Sequence, residues 1–171
     1  PYTTLFRSRA QPREAMVRAI LEAVPAIDPE DVTILVATGT HRANTPEELA
    51  RMLGADLVAR CRVVNHDARD AETLLHAGTT PSGVPVWLPR IWLEADVRIT
   101  TGFVEPHFFA GFSGGPKGIV PGLAGIKTIM HLHNAQMIGD PRSTWARLEG
   151  NPVQGEIREA VAMCPPDFMV N

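Results

Sequence analysis

Asp31-Val32-Thr33-Ile34-Leu35-Val36-Ala37, running directly into Thr38-Gly39-Thr40-His41-Arg42, is the stretch on which the fold turns. An aliphatic, β-branched run without alternating polar positions has the composition of a strand covered on both faces. A helix precedes it: within 13–24, Ala15, Met16, Ile20, Leu21 and Val24 recur at helical spacing before Pro25, which predicts a surface helix packed on a sheet. A second helix follows. Thr45-Pro46-Glu47-Glu48 supplies a capping threonine, a proline at the first helical position and a glutamate that closes a capping box, and Gly54 ends the helix. Outward from there, strands are expected at 61–65 and 97–103, a β-ribbon over 83–88, a short helix over 89–95 and a longer one over 121–137. Another strand begins after Pro165-Pro166. The alternation predicts an α/β fold with a mostly parallel sheet flanked by helices.

Composition narrows the class. The chain has 171 residues, 44% of them hydrophobic and 20% charged, enough apolar material for one core and hence one domain. Net charge is −3 and the basic residues are scattered, so the electrostatic footprint of a nucleic-acid or polybasic membrane binder is missing. Cys61 and Cys164 stand far apart and outside any Cys-x-x-Cys pattern, which argues against a disulfide scaffold or a thiolate zinc site; both are expected to be buried and inert. No apolar run approaches the roughly 18 to 20 residues of a membrane span and no signal-like segment opens the chain, so a cytoplasmic location is the default expectation. Pro1-Tyr2-Thr3-Thr4-Leu5-Phe6-Arg7-Ser8 reads like a translated sequencing adapter. Residues 1–10 are therefore set aside as non-native, leaving 11–171 as a domain cut at both ends.

In parallel sheets ligands sit beyond the carboxyl ends of the strands, so loops leaving strands carry the functional expectation. The first such loop holds His41 and Arg42: a general base and an anion clamp, or simply decoration of a helix entrance. The second runs Thr100-Thr101-Gly102-Phe103-Val104-Glu105-Pro106-His107-Phe108-Phe109-Ala110-Gly111-Phe112-Ser113-Gly114-Gly115-Pro116-Lys117-Gly118. The amides around Gly111, Gly114, Gly115 and Gly118 would cradle a phosphate or carboxylate, with Lys117 neutralising it or bonding to it covalently; the plainer reading is a packing loop with a solvated lysine. Gly118 stands where a Walker motif needs Ser or Thr, which disfavours a nucleotide triphosphatase. Downstream, His131 and His133 fall two apart on a helix and point to different sides, so at most one shares a metal with the glycine-rich loop. His66 and His76, with Trp87, Trp92 and Trp145, read as structural.

Taken together and in order, Gly39-Thr40-His41-Arg42, Glu105 to Gly118, and His131-Leu132-His133-Asn134 resemble the N-terminal domain of the nickel-pincer-dependent lactate racemase family, over most of residues 11–171. The resemblance implies a Rossmann-like N-terminal domain of a two-domain enzyme that interconverts stereoisomers of a 2-hydroxy acid, lactate or a related one. It implies nickel held in a pyridinium-3-thioamide-5-thiocarboxylic acid mononucleotide, tethered to Lys117, with His133 as the protein's nickel ligand. Gly114, Gly115 and Arg42 would assist cofactor binding, and His41 and His107 would be the acid/base pair. By the same resemblance, hydride passes from the substrate carbon to the cofactor while a histidine takes the hydroxyl proton, and its return to the opposite face gives the other enantiomer. Cofactor biosynthesis proteins are the implied partners, beside the small-molecule substrate. An Asp-x-Thr-Arg-Pro-like segment usual before the first histidine motif is absent, and a cleft-closing C-terminal domain is missing. The chain alone is therefore expected to be inactive, since a half-open site excludes water poorly. The competing reading is a non-catalytic phosphate- or nucleotide-binding module with structural histidines.

Overall fold

A computed structural model describes residues 11–171, and the adapter-like reading of residues 1–10 lies outside the described residues. The chain divides into two compact units.

One unit comprises residues up to Ile34 together with Asn44–Val64. It contains α1 (Arg13–Ala23), a 3-10 turn (Pro29–Asp31), α2 (Pro46–Leu53) and α3 (Ala55–Arg60), while β1 (Thr33–Val36) and β2 (Arg62–Asn65) are each divided between the units, after Ile34 and after Val64. The expected capping box is present: Thr45 Oγ1 accepts from the Glu48 N–H at 3.2 Å while Glu48 Oε2 accepts from the Thr45 N–H at 2.9 Å. Leu49 and Leu53 of α2 are buried, as is Leu57 of α3. The expectation of a first helix laid on a sheet does not hold. α1 buries no residue and lies beside α2; Arg18 Nη2 donates to Glu14 of the same helix at 2.8 Å and to Asp56 of α3 at 2.5 Å, and the second bond ties α1 to α3.

β1 pairs with β2, and the Arg62 N–H to Val32 and His66 N–H to Val36 hydrogen bonds keep one offset, the pattern of a parallel pair. All four β1 residues are half-buried rather than covered on both faces. Among the described residues the sheet has two strands, and the apolar composition alone did not reveal how far β1 is covered.

The other unit comprises Leu35–Ala43 and Asn65–Asn171. β3 (Leu74–Thr79) and β4 (Pro85–Pro89) form an antiparallel hairpin with an irregular register between His76 and Gly78. α4 (Arg90–Leu93) follows, and β5 (Ile99–Thr101) pairs in parallel with β8 (Phe168–Val170). Between them lie the short antiparallel ribbon of β6 (Pro106–His107) and β7 (Gly111–Phe112), a 3-10 turn (Gly115–Gly118), α5 (Ile126–Leu132), α6 (Ala135–Gly139) and α7 (Pro152–Ala162). The fold is α/β as expected, with two parallel and two antiparallel strand pairs among the described residues.

The core of this unit explains where its loops sit. Val153, Ile157, Ala160, Val161 and Cys164 form one apolar stripe on and just beyond α7, packed with Ile119, Val120, Leu123, Ile129 and Leu132. Each fully buried aliphatic side chain contributes about 1.5–3 kcal/mol relative to exposure. The segment from Ile119 to Leu132 is thus held from below, and the loops around it are fixed in place.

The helix expected over 121–137 is two short helices. Residues 120–125 turn before Ile126, and Asn134 breaks the run by capping α6, its side chain accepting from the Met137 N–H at 2.8 Å. Asparagine competes for backbone groups in this way wherever it meets a helix start. Cys61 and Cys164 are both buried, as expected, and burial raises the Cys61 thiol above its ordinary value. Among the described residues no helix is long and apolar enough to cross a membrane.

Candidate functional site

All the residues singled out for chemistry belong to the second unit. The first loop is anchored at its base by Thr38, buried, whose Oγ1 donates to the His66 carbonyl at 2.5 Å. The Gly39 N–H then donates to the Gly122 carbonyl at 2.9 Å, and the Gly122 N–H donates to the Lys117 carbonyl at 3.3 Å. A chain of backbone bonds therefore joins the His41 loop to the segment that carries Lys117. His41 and Arg42 are exposed at the loop's tip, where Arg42 Nη1 donates to the Ala43 carbonyl at 2.8 Å.

The glycine-rich loop is organised by two polar residues that sequence reading did not single out as site residues. Ser113 is buried; its Oγ donates to the Phe103 carbonyl at 2.6 Å and accepts from the Glu105 N–H at 3.1 Å, which pins one arm of the loop to the other. Asn151, also buried, caps α7 by accepting from the Gln154 N–H at 3.1 Å. Its Nδ2 donates to the carbonyls of Phe109 at 2.9 Å and Arg147 at 3.1 Å. Asn151-Pro152 is a legible helix start, asparagine at the cap and proline at the first position, so the cap was readable and the reach to Phe109 was not.

Not every glycine serves as an anion cradle. Gly111 lies at φ +77, and a Cβ there would collide with the Arg147 carbonyl, so its role is close packing against that loop. The Gly115 N–H donates to Asn171 Oδ1 at 2.8 Å, and Gly114 sits against Phe103, Val104 and Asn171. Lys117 stands half-buried in the 3-10 turn that follows.

Two imidazoles meet on one aromatic ring. His107 is buried, stacked on Phe108 with centroids 4.6 Å apart and edge-on to Phe109 at 4.6 Å. His133, at the end of α5, meets Phe109 edge-on at 5.3 Å. Their hydrogen bonds differ. His107 Nδ1 accepts from the N–H groups of Phe109 at 3.5 Å and Ala110 at 3.3 Å, which leaves the proton of the neutral ring on Nε2. His133 Nδ1 lies 2.8 Å from the Ile129 carbonyl, which only accepts, so here the proton is on Nδ1 and the lone pair on Nε2. A histidine whose other ring N–H is held by a carbonyl is oriented as metal-binding histidines are. The residues present fit a nickel ligand at His133. Among the described residues no three His, Cys, Asp or Glu side chains group into a metal site.

His131 and His133 diverge as their spacing predicts: His131 Nε2 lies 3.8 Å from Glu156, whose carboxyl is raised above its ordinary range chiefly by burial. His66 is structural, its Nε2 3.0 Å from the Ala124 carbonyl, and burial lowers its pKa. His76 rests against Trp87, and Lys127 Nζ lies 5.1 Å from the centroid of that ring.

Comparison with known proteins places these features in a family. Residues 7–146 match the family described as "Lactate racemase N-terminal domain". The lactate racemase of Thermoanaerobacterium thermosaccharolyticum is 40% identical over 141 residues, covering 82% of this chain and 33% of that protein. The lactate racemase of Lactiplantibacillus plantarum is 35% identical over 165 residues, covering 96% and 39%. In structure, the lactate racemase apoprotein from T. thermosaccharolyticum superposes with a TM-score of 0.90 at 35% identity, over 95% of this chain and 39% of that one. A Thermotoga maritima protein shares the fold, with a TM-score of 0.79 at 24% identity over 92% of this chain and 41% of that one. The chain thus spans a third to two fifths of the length of these relatives, and over that span it belongs to the lactate racemase N-terminal domain family.

Proposed function

We propose that this chain is the cofactor-bearing part of a racemase or epimerase acting on a 2-hydroxy acid, lactate or a related one. The observation that carries the proposal is the pair of imidazoles on Phe109, fixed in opposite tautomers: His133 aims a lone pair and His107 an N–H from their Nε2 atoms. The names of the relatives support the reaction class. In this reading Lys117 would tether a nickel-pincer nucleotide and His133 would supply a ligand to its nickel, while Gly114, Gly115 and Arg42 would assist the cofactor's anionic groups. When bound, that cofactor supplies reversible acceptance of a hydride from the substrate carbon, chemistry that no protein side chain offers.

The chain's own residues handle the proton and the position. His41, on an exposed loop tied by backbone bonds to the Lys117 segment, is the partner that takes the hydroxyl proton of one enantiomer. His107 presents its N–H toward substrate oxygen. For His107 to take a proton at Nε2, its own must first leave that atom, so His107 enters the cycle from the donor side and His41 from the acceptor side. The two imidazoles serve two enantiomers whose hydroxyls point in different directions.

The test uses the full-length parent gene co-expressed with pincer-cofactor biosynthesis proteins, measuring intact mass and nickel content of wild type beside Lys117→Ala. A covalent adduct carrying nickel in wild type, lost in the variant, is expected. An unmodified, nickel-free wild type, under conditions that load a known racemase, would sink the tether and favour a phosphate- or nucleotide-binding module instead.

A further inference from the structure

The Phe109–Ala110 peptide is one rigid plane, and its two polar edges face two different partners. On one edge the Phe109 oxygen accepts from Asn151 Nδ2 at 2.9 Å; on the other the Ala110 N–H donates to His107 Nδ1 at 3.3 Å. Rotating that plane breaks both bonds at once. Asn151 is itself immobilised: it is buried, its Oδ1 caps α7, and its Nδ2 also holds the Arg147 carbonyl. α7 in turn is clamped into the core through Val153 and Ile157. The packing of α7 is therefore transmitted to the imidazole through one side-chain amide and one peptide plane.

We propose that Asn151 is the positioning residue of His107, holding the Phe109–Ala110 peptide so that its N–H engages Nδ1 and the imidazole presents its proton at Nε2. The part His107 plays in chemistry rests on the racemase reading above; the tautomer does not. Asn151 touches no reacting atom in this proposal. It biases which nitrogen of His107 carries the proton. A turned peptide would offer a carbonyl where the Ala110 N–H now stands, opposing the Phe109 N–H that also faces Nδ1 at 3.5 Å, and the two tautomers would mix.

The experiment is solution NMR of the purified 171-residue chain, labelled with 15N in the histidine rings and backbone, for wild type, Asn151→Ser and Asn151→Asp. Both substitutions retain a residue favoured at a helix N-cap while removing the Nδ2 donor. Wild-type His107 is expected to show a bare Nδ1, a protonated Nε2 and a scalar coupling between Nδ1 and the Ala110 amide nitrogen. In the variants the coupling is lost and the two ring-nitrogen shifts of His107 converge as tautomers mix. His66, bonded to the Ala124 carbonyl, keeps its own pattern and reports an intact fold. The proposal is overturned by a wild-type His107 protonated on Nδ1 or evenly mixed, or by variants that keep the His66 pattern and leave His107 unchanged. Should both variants unfold, the wild-type coupling decides: its presence supports the relay and its absence overturns it. No cofactor enters this measurement. An absent adduct in the Lys117 experiment would remove the racemase reading and leave the relay standing, and a failed relay would leave the adduct unaffected.

Discussion

His107 on the β6–β7 ribbon and His133 at the end of α5 share the Phe109 ring but are wired in opposite senses. Backbone N–H groups face Nδ1 of the first, and a backbone carbonyl faces Nδ1 of the second. The same side chain is thereby prepared as a donor in one place and as a lone pair in the other. The difference lies in the backbone around them: a tight ribbon turns amides inward, while at the helix C-terminus the Ile129 carbonyl accepts from the His133 N–H at 3.0 Å and also faces His133 Nδ1.

The sharpest way to separate the two is to delete each in the full-length parent and read nickel and turnover separately. His133→Ala is expected to lose bound nickel and all racemisation. His107→Gln is expected to keep nickel while racemisation falls by about 10²–10⁴-fold, the range for loss of a general acid/base. Equal nickel loss in both would erase the distinction drawn here. Phe109→Ala attacks the shared wall. Removing a half-buried aromatic that meets both imidazoles should cost about 2–4 kcal/mol in urea unfolding and disturb both histidines' ring signals; a change confined to one would show that the ring serves only that one.

Thr128→Val probes one side alone. Thr128 is fully buried in α5, donating to the Pro85 carbonyl at 2.6 Å and accepting from the Trp87 N–H at 2.9 Å. Leaving those two groups unsatisfied should cost about 1–3 kcal/mol, and should weaken nickel retention at His133 with the His107 tautomer unchanged. The smallest effect concerns His66. Burial lowers its folded pKa below the unfolded value, so the unfolded state binds the proton more readily. The stability it contributes is fully present above the unfolded pKa of about 6.5 and declines as pH falls below it. Urea midpoints measured from pH 7.5 to 5 should fall less in His66→Gln than in wild type; parallel curves would show that His66 carries none of the pH dependence.

Some of this was legible in residues 45–48, where the capping box has only local requirements, and in the spacing of His131 and His133, which a helical pitch sends apart. The order of the three motifs pointed to the family because each lies intact on a short, contiguous segment. The misreadings share one cause. β1 has the composition of a covered strand but is half-buried, with one partner strand among the described residues, and 121–137 has helical composition interrupted by turns and by Asn134 capping a new helix. Local composition does not report what lies across a sheet or which asparagine becomes a cap.

By itself, then, the sequence determined the α/β class, the Thr45–Glu48 capping box and the motifs that named the candidate residues, which rest on patterns local to short segments. The tertiary structure decided what those residues present. Asn151 reaches Phe109 across 42 positions, and the Gly39–Gly122 bond joins the His41 loop to the Lys117 segment. Which nitrogen of an imidazole carries the proton depends on the group facing it, and that group is brought there only by packing.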